Sequence, residues 1–178
     1  LVKQAHSNKF FFFFKNTKIK NRSITADAII TDKKDFPIAV LTADCVPILL
    51  FDKKRKMIAA IHAGWRGAFK GVISKVINFM LKKGCDRKDI IVAIGPSIAQ
   101  KNYNVKLDFK NKFIKKHKKN KIFFKNRNKL IYFDLPNYIK SQLKFNKISK
   151  IDRINIDTYD KKNNFFSARR SIKLKQDD

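Results

Sequence analysis

Residues 36–52, FPIAVLTADCVPILLFD, constrain the fold more than any other stretch. The run is almost continuously apolar, broken only near its middle and at its end. Its length and β-branched content predict a strand buried on both faces, which needs sheet neighbours beside it and packed layers above and below. KKRK (53–56) reads as a turn, and MIAAIHA (57–63) as the hairpin partner. From Arg66 the period changes. Apolar residues at 69, 72, 73, 76, 77, 80 and 81 mark an amphipathic helix that Gly84 stops. DIIVAIGPSI (89–98) is a further buried strand ending at Gly95-Pro96, and ITADAIIT (24–31) a short one before the hairpin. The second half predicts a helix over 108–119 and another starting at Asp134, the candidate N-cap, with Pro136 in the first turn. KIDRINIDTY (150–159) is the last strand. The order β-β-β-α-β-α-α-β predicts an α/β fold: one layered domain over 1–178, with a mixed β-sheet flanked by helices.

No apolar run reaches the roughly 18–20 residues of a membrane span, and Phe10–Phe14 are far too few. The first residues do not read as a signal peptide, so the expected location is cytoplasmic, with no membrane partner. Two cysteines make no disulfide framework. The net charge of +28 comes from 42 Lys+Arg against 14 Asp+Glu. Lysine, asparagine, isoleucine and phenylalanine are overused together, as in AT-rich coding sequence, and no recognisable nucleic-acid module accompanies them. The field suits phosphate-bearing small molecules better than a specific nucleic acid, although the dense run Lys110–Leu130 would attract polyanions weakly.

The metal-ligating side chains are few: His6, His62, His117, Cys45 and Cys85. With the turn centred near residue 54, Cys45 lies 9 back and His62 8 forward, which makes them near cross-strand neighbours. A Cys and a His at one end of a buried hairpin are half of a zinc site. They are equally the small hydrophobe and hydrogen-bonded rim residue of an ordinary core. Spacing does not locate His6. His117 sits among lysines as a solvated residue, and Cys85 at a helix end reads as an inert thiol.

Six segments in order carry a resemblance: QAHS (4–7), ADAIIT (26–31), TADCVPILLFD (42–52), AAIHAGWRG (59–67), IGPSIAQKNYNV (94–105) and FFSARR (165–170). Together they resemble the YfiH-type laccase-domain family, once described as multicopper polyphenol oxidases and now understood largely as purine nucleoside phosphorylases. The resemblance implies one zinc held by His6, Cys45 and His62, with a fourth position open as in catalytic sites. Copper is the alternative metal for thiolate and imidazole, but three histidines in all are too few for a true multicopper oxidase. The implied activities are phosphorolysis of adenosine, inosine, guanosine and methylthioadenosine to base and ribose 1-phosphate, and adenosine deamination. An inactive zinc-binding remnant, a peptidoglycan-precursor editing hydrolase and a copper-dependent polyphenol oxidase are the alternatives.

Beyond the ligands, Arg66 is the expected phosphate cation, at a helix start where Gly64 and Gly67 allow close approach. Asp44 either orients a ligand and relays a proton, or satisfies backbone groups. Trp65 stacks on a purine or packs under the helix. Gly95 and Pro96 shape a loop beside the site, Tyr103 reaches it, and Arg169 and Arg170 stand at its rim. Against the family pattern both terminal segments are shortened, and Ala168, Asp157 and Asn104 replace the usual tyrosine, cysteine and acid. A homodimer would compensate for the exposed edges.

Overall fold

The computed structural model describes residues 1–14 and 23–174. Among these described residues the strands are β1 (Phe10–Phe13), β2 (Ala28–Thr31), β3 (Val46–Asp52), β4 (Ile58–Ala63), β5 (Ile90–Ile94), β6 (Asn104–Val105), β7 (Phe124–Arg127), β8 (Leu130–Phe133) and β9 (Lys150–Arg153). The α-helices among them are α1 (Trp65–Phe69), α2 (Val72–Lys82), α3 (Leu107–Lys116), α4 (Leu135–Phe145) and α5 (Ala168–Leu174). Six strands form one mixed sheet in the order β1-β2-β4-β3-β5-β9, parallel at β1/β2 and β5/β9 and antiparallel between. A second, antiparallel sheet runs β6-β8-β7. The α/β class and the mixed sheet are as the sequence predicts.

The hairpin register pairs Pro47 with His62 and Val46 with Ala63. The turn is therefore centred between residues 54 and 55, and Cys45 is displaced by two residues from the position opposite His62. A displacement of two keeps the same sheet face, so the proximity survives the shift.

Several elements differ from expectation for identifiable reasons. The run 36–52 is not one strand buried on both faces. Residues 36–45 are irregular, with Asp44 at φ 81°, and β3 alternates, burying Val46, Ile48 and Leu50 while Leu49 stays 54 % exposed. One face of the sheet packs on α2, whose Val72, Ile73, Val76, Ile77 and Met80 are buried. On the other face Ile29 packs with Val2, Ala26, Phe11, Ile24 and Ile38. The single helix expected from Arg66 is two, because Gly71 takes φ +82° between α1 and α2. Phe10–Phe13, which lack alternation, pair with β2. The last strand ends at Arg153, not 159. The start of α4 is as expected: Asp134 accepts from the Asn137 N–H at 3.0 Å, and Pro136 lies in the first turn. Helix α5 is not predicted by the sequence and begins within FFSARR; residues 175–178 lie outside the described residues.

Candidate metal centre and its cavity

Three segments converge at the end of the hairpin. His62 is the penultimate residue of β4 and is 4 % exposed. Cys45 directly precedes β3, and His6 lies in the segment leading to β1. Their ligand atoms all lie within 4.8 Å of one another. His6 Nε2 is 3.7 Å from Cys45 Sγ, and the two imidazoles meet edge to face at 4.8 Å. Among the described residues this is the one cluster of three or more His, Cys, Asp and Glu side chains able to hold a metal. His117 is exposed and accepts from the Lys119 N–H, and Cys85 is buried against Met57 at 3.9 Å, so neither joins it.

Glycine gives the cluster its room. A Cβ on Gly64 would lie 2.8 Å from His6 Cδ2 and 2.9 Å from Cys45 Sγ. A Cβ on Gly67 would lie 2.7 Å from the Ser7 carbonyl oxygen. The sequence reading had these glycines opening the helix start to phosphate. Instead, the protein itself fills the space at both: the ligand side chains at Gly64, the chain beside His6 at Gly67. Gly95 similarly admits Pro47, whose Cγ would be 2.8 Å from an added Cβ.

A residue not singled out from the sequence ties the cluster together. Asp27, 0 % exposed, precedes β2 and lies alongside His62, whose N–H donates to the Asp27 carbonyl at 2.8 Å. Its carboxylate accepts from the N–H groups of Ala5, His6 and Ser7, from the Ser7 hydroxyl, and from His62 Nδ1 at 2.8 Å. Burial alone would raise this carboxyl. The hydrogen bonds from Ser7, His62 and Ala5 outweigh it and hold the group below the usual carboxylate range. A carboxylate framed by alanines inside an apolar strand was the available signal, since a buried charge demands partners.

Two of the candidate ligands, His62 and Cys45, are shifted by their surroundings. Burial lowers His62, with His6 adding to the effect against the pull of Asp27. Burial, then the charges of Asp44 and Asp27, push the Cys45 thiol up to about 12. A metal binding here has to displace that proton.

A cavity of about 350 Å³ opens over His6 and Cys45, with Arg66, Tyr103, Trp65 and Arg169 among its walls. Asp44 also borders it, but its carboxylate is committed. It accepts from Thr158 Oγ1 at 2.8 Å, Ser167 Oγ at 3.0 Å and the Arg169 N–H at 2.7 Å. Asp44 thereby hangs the C-terminal wall beside the metal cluster. Arg169 reaches Asn104 with its guanidinium, which also lies 5.2 Å from the Tyr103 ring centre. Burial raises the Tyr103 hydroxyl, so it stays a donor. Trp65 lines the cavity and packs on Phe109 at 4.8 Å. Arg170 does not stand free at the rim: it donates to the Thr158, Tyr159 and Phe165 carbonyls. Asp157, where the family usually has cysteine, accepts from the Ala99 N–H and Asn102 Nδ2 and shapes the loop before Tyr103.

Known proteins resemble this chain in sequence and in fold. The family described as multi-copper polyphenol oxidoreductase laccase matches residues 1–175. A protein named purine nucleoside phosphorylase from Rickettsia conorii is 39% identical over 153 residues, which are 85% of this chain and 63% of the relative. Its namesake from Rickettsia prowazekii is 38% identical over 151 residues, 84% of this chain and 62% of the relative. The chain thus spans under two thirds of these relatives' length. Among solved structures, Bacillus licheniformis YfiH superposes with a TM-score of 0.87 at 23% identity, covering 96% of this chain and 68% of the other. A Neisseria meningitidis protein superposes at 0.83 with 26% identity, covering 95% and 68%.

Proposed function

The chain belongs to the multi-copper polyphenol oxidoreductase laccase family, and from that membership and its His-Cys-His cluster we propose a zinc-dependent purine nucleoside phosphorylase that also deaminates adenosine. Its substrates are phosphate with adenosine, inosine, guanosine and methylthioadenosine, and it works as one laccase domain over 1–178 in the cytoplasm. The observation that carries the reading is the opening of the His6–Cys45–His62 cluster onto a cavity walled by Arg66 and Arg169. The relatives' printed names supply the reaction class.

The donor set fits a zinc ion: two imidazoles and a thiolate converge, and Gly64 keeps clear the space they occupy. The same set accepts copper. When bound, zinc supplies Lewis acidity. The rest falls to the chain's own groups. Arg66 and Arg169 neutralise and orient phosphate against the ribose. Tyr103 offers a hydroxyl donor, and Trp65 an aromatic edge for the purine. Asp44 keeps Arg169 in the wall.

Metal-replete protein given inosine and phosphate is expected to yield hypoxanthine and ribose 1-phosphate; adenosine without phosphate should yield inosine and ammonia. Absence of both products overturns the reading. One alternative is a zinc-binding remnant without turnover. Zinc retention with neither product would select it. Phenol oxidation with a copper absorption band after copper loading would select the oxidase.

A further inference from the structure

The ligand reading leaves one buried acid beside the cluster without a role. Asp27 Oδ1 alone accepts both the His6 N–H at 2.9 Å and His62 Nδ1 at 2.8 Å. One oxygen atom therefore joins two ligands that lie far apart in the chain. We propose that Asp27 is the positioning residue of the metal centre: it fixes both histidines and selects Nε2 of His62 as the atom presented to the ion. The proposal rests on reading His6, Cys45 and His62 as metal ligands.

For His62 the argument is one of tautomers. An ionised carboxylate only accepts, so a 2.8 Å bond to Nδ1 requires the proton on Nδ1. The lone pair of the neutral ring then lies on Nε2, turned away from Asp27. The backbone bond between His62 and Asp27 leaves the ring little freedom to exchange its nitrogens.

For His6 the argument is backbone conformation. His6 takes φ 53°, a left-handed value that costs a non-glycine residue about 1 kcal/mol or more. Turning the chain this way aims the N–H groups of Ala5, His6 and Ser7 at one carboxylate. The charge-assisted bonds offset the strain, and His6 stands over Cys45 as a consequence. The Ser7 N–H and hydroxyl both bond Oδ2, at 2.6 Å, and so brace the far side of the same carboxylate.

In Asp27→Asn one oxygen becomes an NH₂ group. Facing Nδ1, that group drives the ring proton to Nε2 and removes the ligand lone pair. Facing Ser7, it opposes an N–H and frees the segment that carries His6. Metal-free, ¹⁵N-labelled wild-type protein is expected to show His62 as the Nδ1–H tautomer in imidazole ¹H–¹⁵N spectra. Zinc titration against a chromophoric chelator should give Asp27→Asn about 10–100-fold weaker affinity than wild type. Ser7→Ala, which spares Oδ1, should lose far less. An Nε2–H tautomer in the wild type would overturn the proposal, and this arm holds even if the variant does not fold. Zinc affinity unchanged in folded Asp27→Asn would overturn it too. Wild-type protein that binds no zinc would instead overturn the ligand reading, and the proposal with it.

Discussion

Asp27 and Asp44 are both buried next to the His6–Cys45–His62 cluster, yet they draw their donors from different ends of the chain. Asp27 gathers residues 5–7 and His62; Asp44 gathers Thr158, Ser167 and Arg169. The first carboxylate touches the ligands, and the second touches only the wall of the cavity that faces them. The difference separates two tasks that the family match alone runs together. On the proposed function, holding an ion would depend on the N-terminal segment and the hairpin. Holding a substrate would depend on whether residues 158–170 are docked. Cys45 lies between the two, one residue after Asp44 and 3.7 Å from His6.

The largest effect should fall on the ligand half. Cys45→Ala removes the only thiol of the cluster, and two imidazoles remain with no anionic ligand between them. The variant is expected to retain no zinc through gel filtration and to show no turnover, by metal analysis and product assay on one sample. It should still fold, since alanine fits a site already crowded against Gly64. Zinc retained at the wild-type level would remove Cys45 from the centre and break the division at its middle.

Asp44→Ala tests the other half. It strands the Thr158 and Ser167 hydroxyls and the Arg169 N–H in a buried place, and each unpaired donor costs about 1–3 kcal/mol. The C-terminal segment should loosen, displacing Arg169 and lowering turnover by about 10²-fold, while zinc affinity changes only a few-fold. Proteolysis within 158–174 read beside a zinc titration checks both. If zinc affinity collapses as well, the two carboxylates serve one task and the comparison fails.

These two regions were unequally legible in the sequence. Cys45 and His62 could be brought together by counting outward from the KKRK turn, because hairpin register is a local property. The count misplaced the turn centre only slightly. Even so, counting left the pair open between a metal site and an ordinary core, and His6 came only through resemblance. Asp27 was missed because its partners sit about 20 and 35 positions away, at Ser7 and His62. Asp44 was foreseen only as an open choice, and its partners lie more than 100 positions away. The short sheet β6-β8-β7 also escaped, since lysine and asparagine dilute its alternation. Local pattern reaches the sheet and one end of the hairpin; the carboxylates that organise the site depend on contacts no window contains.

A smaller effect should come from Gly64→Ala, which presses on the ligand half without removing a ligand. The new methyl would stand 2.8 Å from His6 Cδ2 and 2.9 Å from Cys45 Sγ, closer than such contacts allow. Overpacking of this kind costs about 1–3 kcal/mol. Because the pressure falls on the two ligand side chains, the cost should appear as roughly tenfold weaker zinc binding in the same chelator assay. A loss of thermal stability with unchanged zinc affinity would mean that the backbone, not the ligands, gives way.

The smallest effect marks the outer boundary of the comparison. Cys85 shares its chemistry with Cys45, and burial followed by the neighbouring Asp52 charge likewise pushes its thiol up, to about 11. It sits apart from the cluster, 7 % exposed and packed on Met57. No second His or Cys joins Cys85 in a ligand cluster among the described residues, so it does not compete for zinc. Cys85→Ala should therefore cost about 1 kcal/mol of stability, the ordinary effect of one lost buried contact. Zinc stoichiometry and turnover should match wild type. Two cysteines with similar burial-driven shifts would then differ only in what the fold sets beside them: two histidines in one case, a methionine in the other. A fall in zinc stoichiometry in Cys85→Ala would show that the second thiol shares the metal and that the centre is not confined to the hairpin's end.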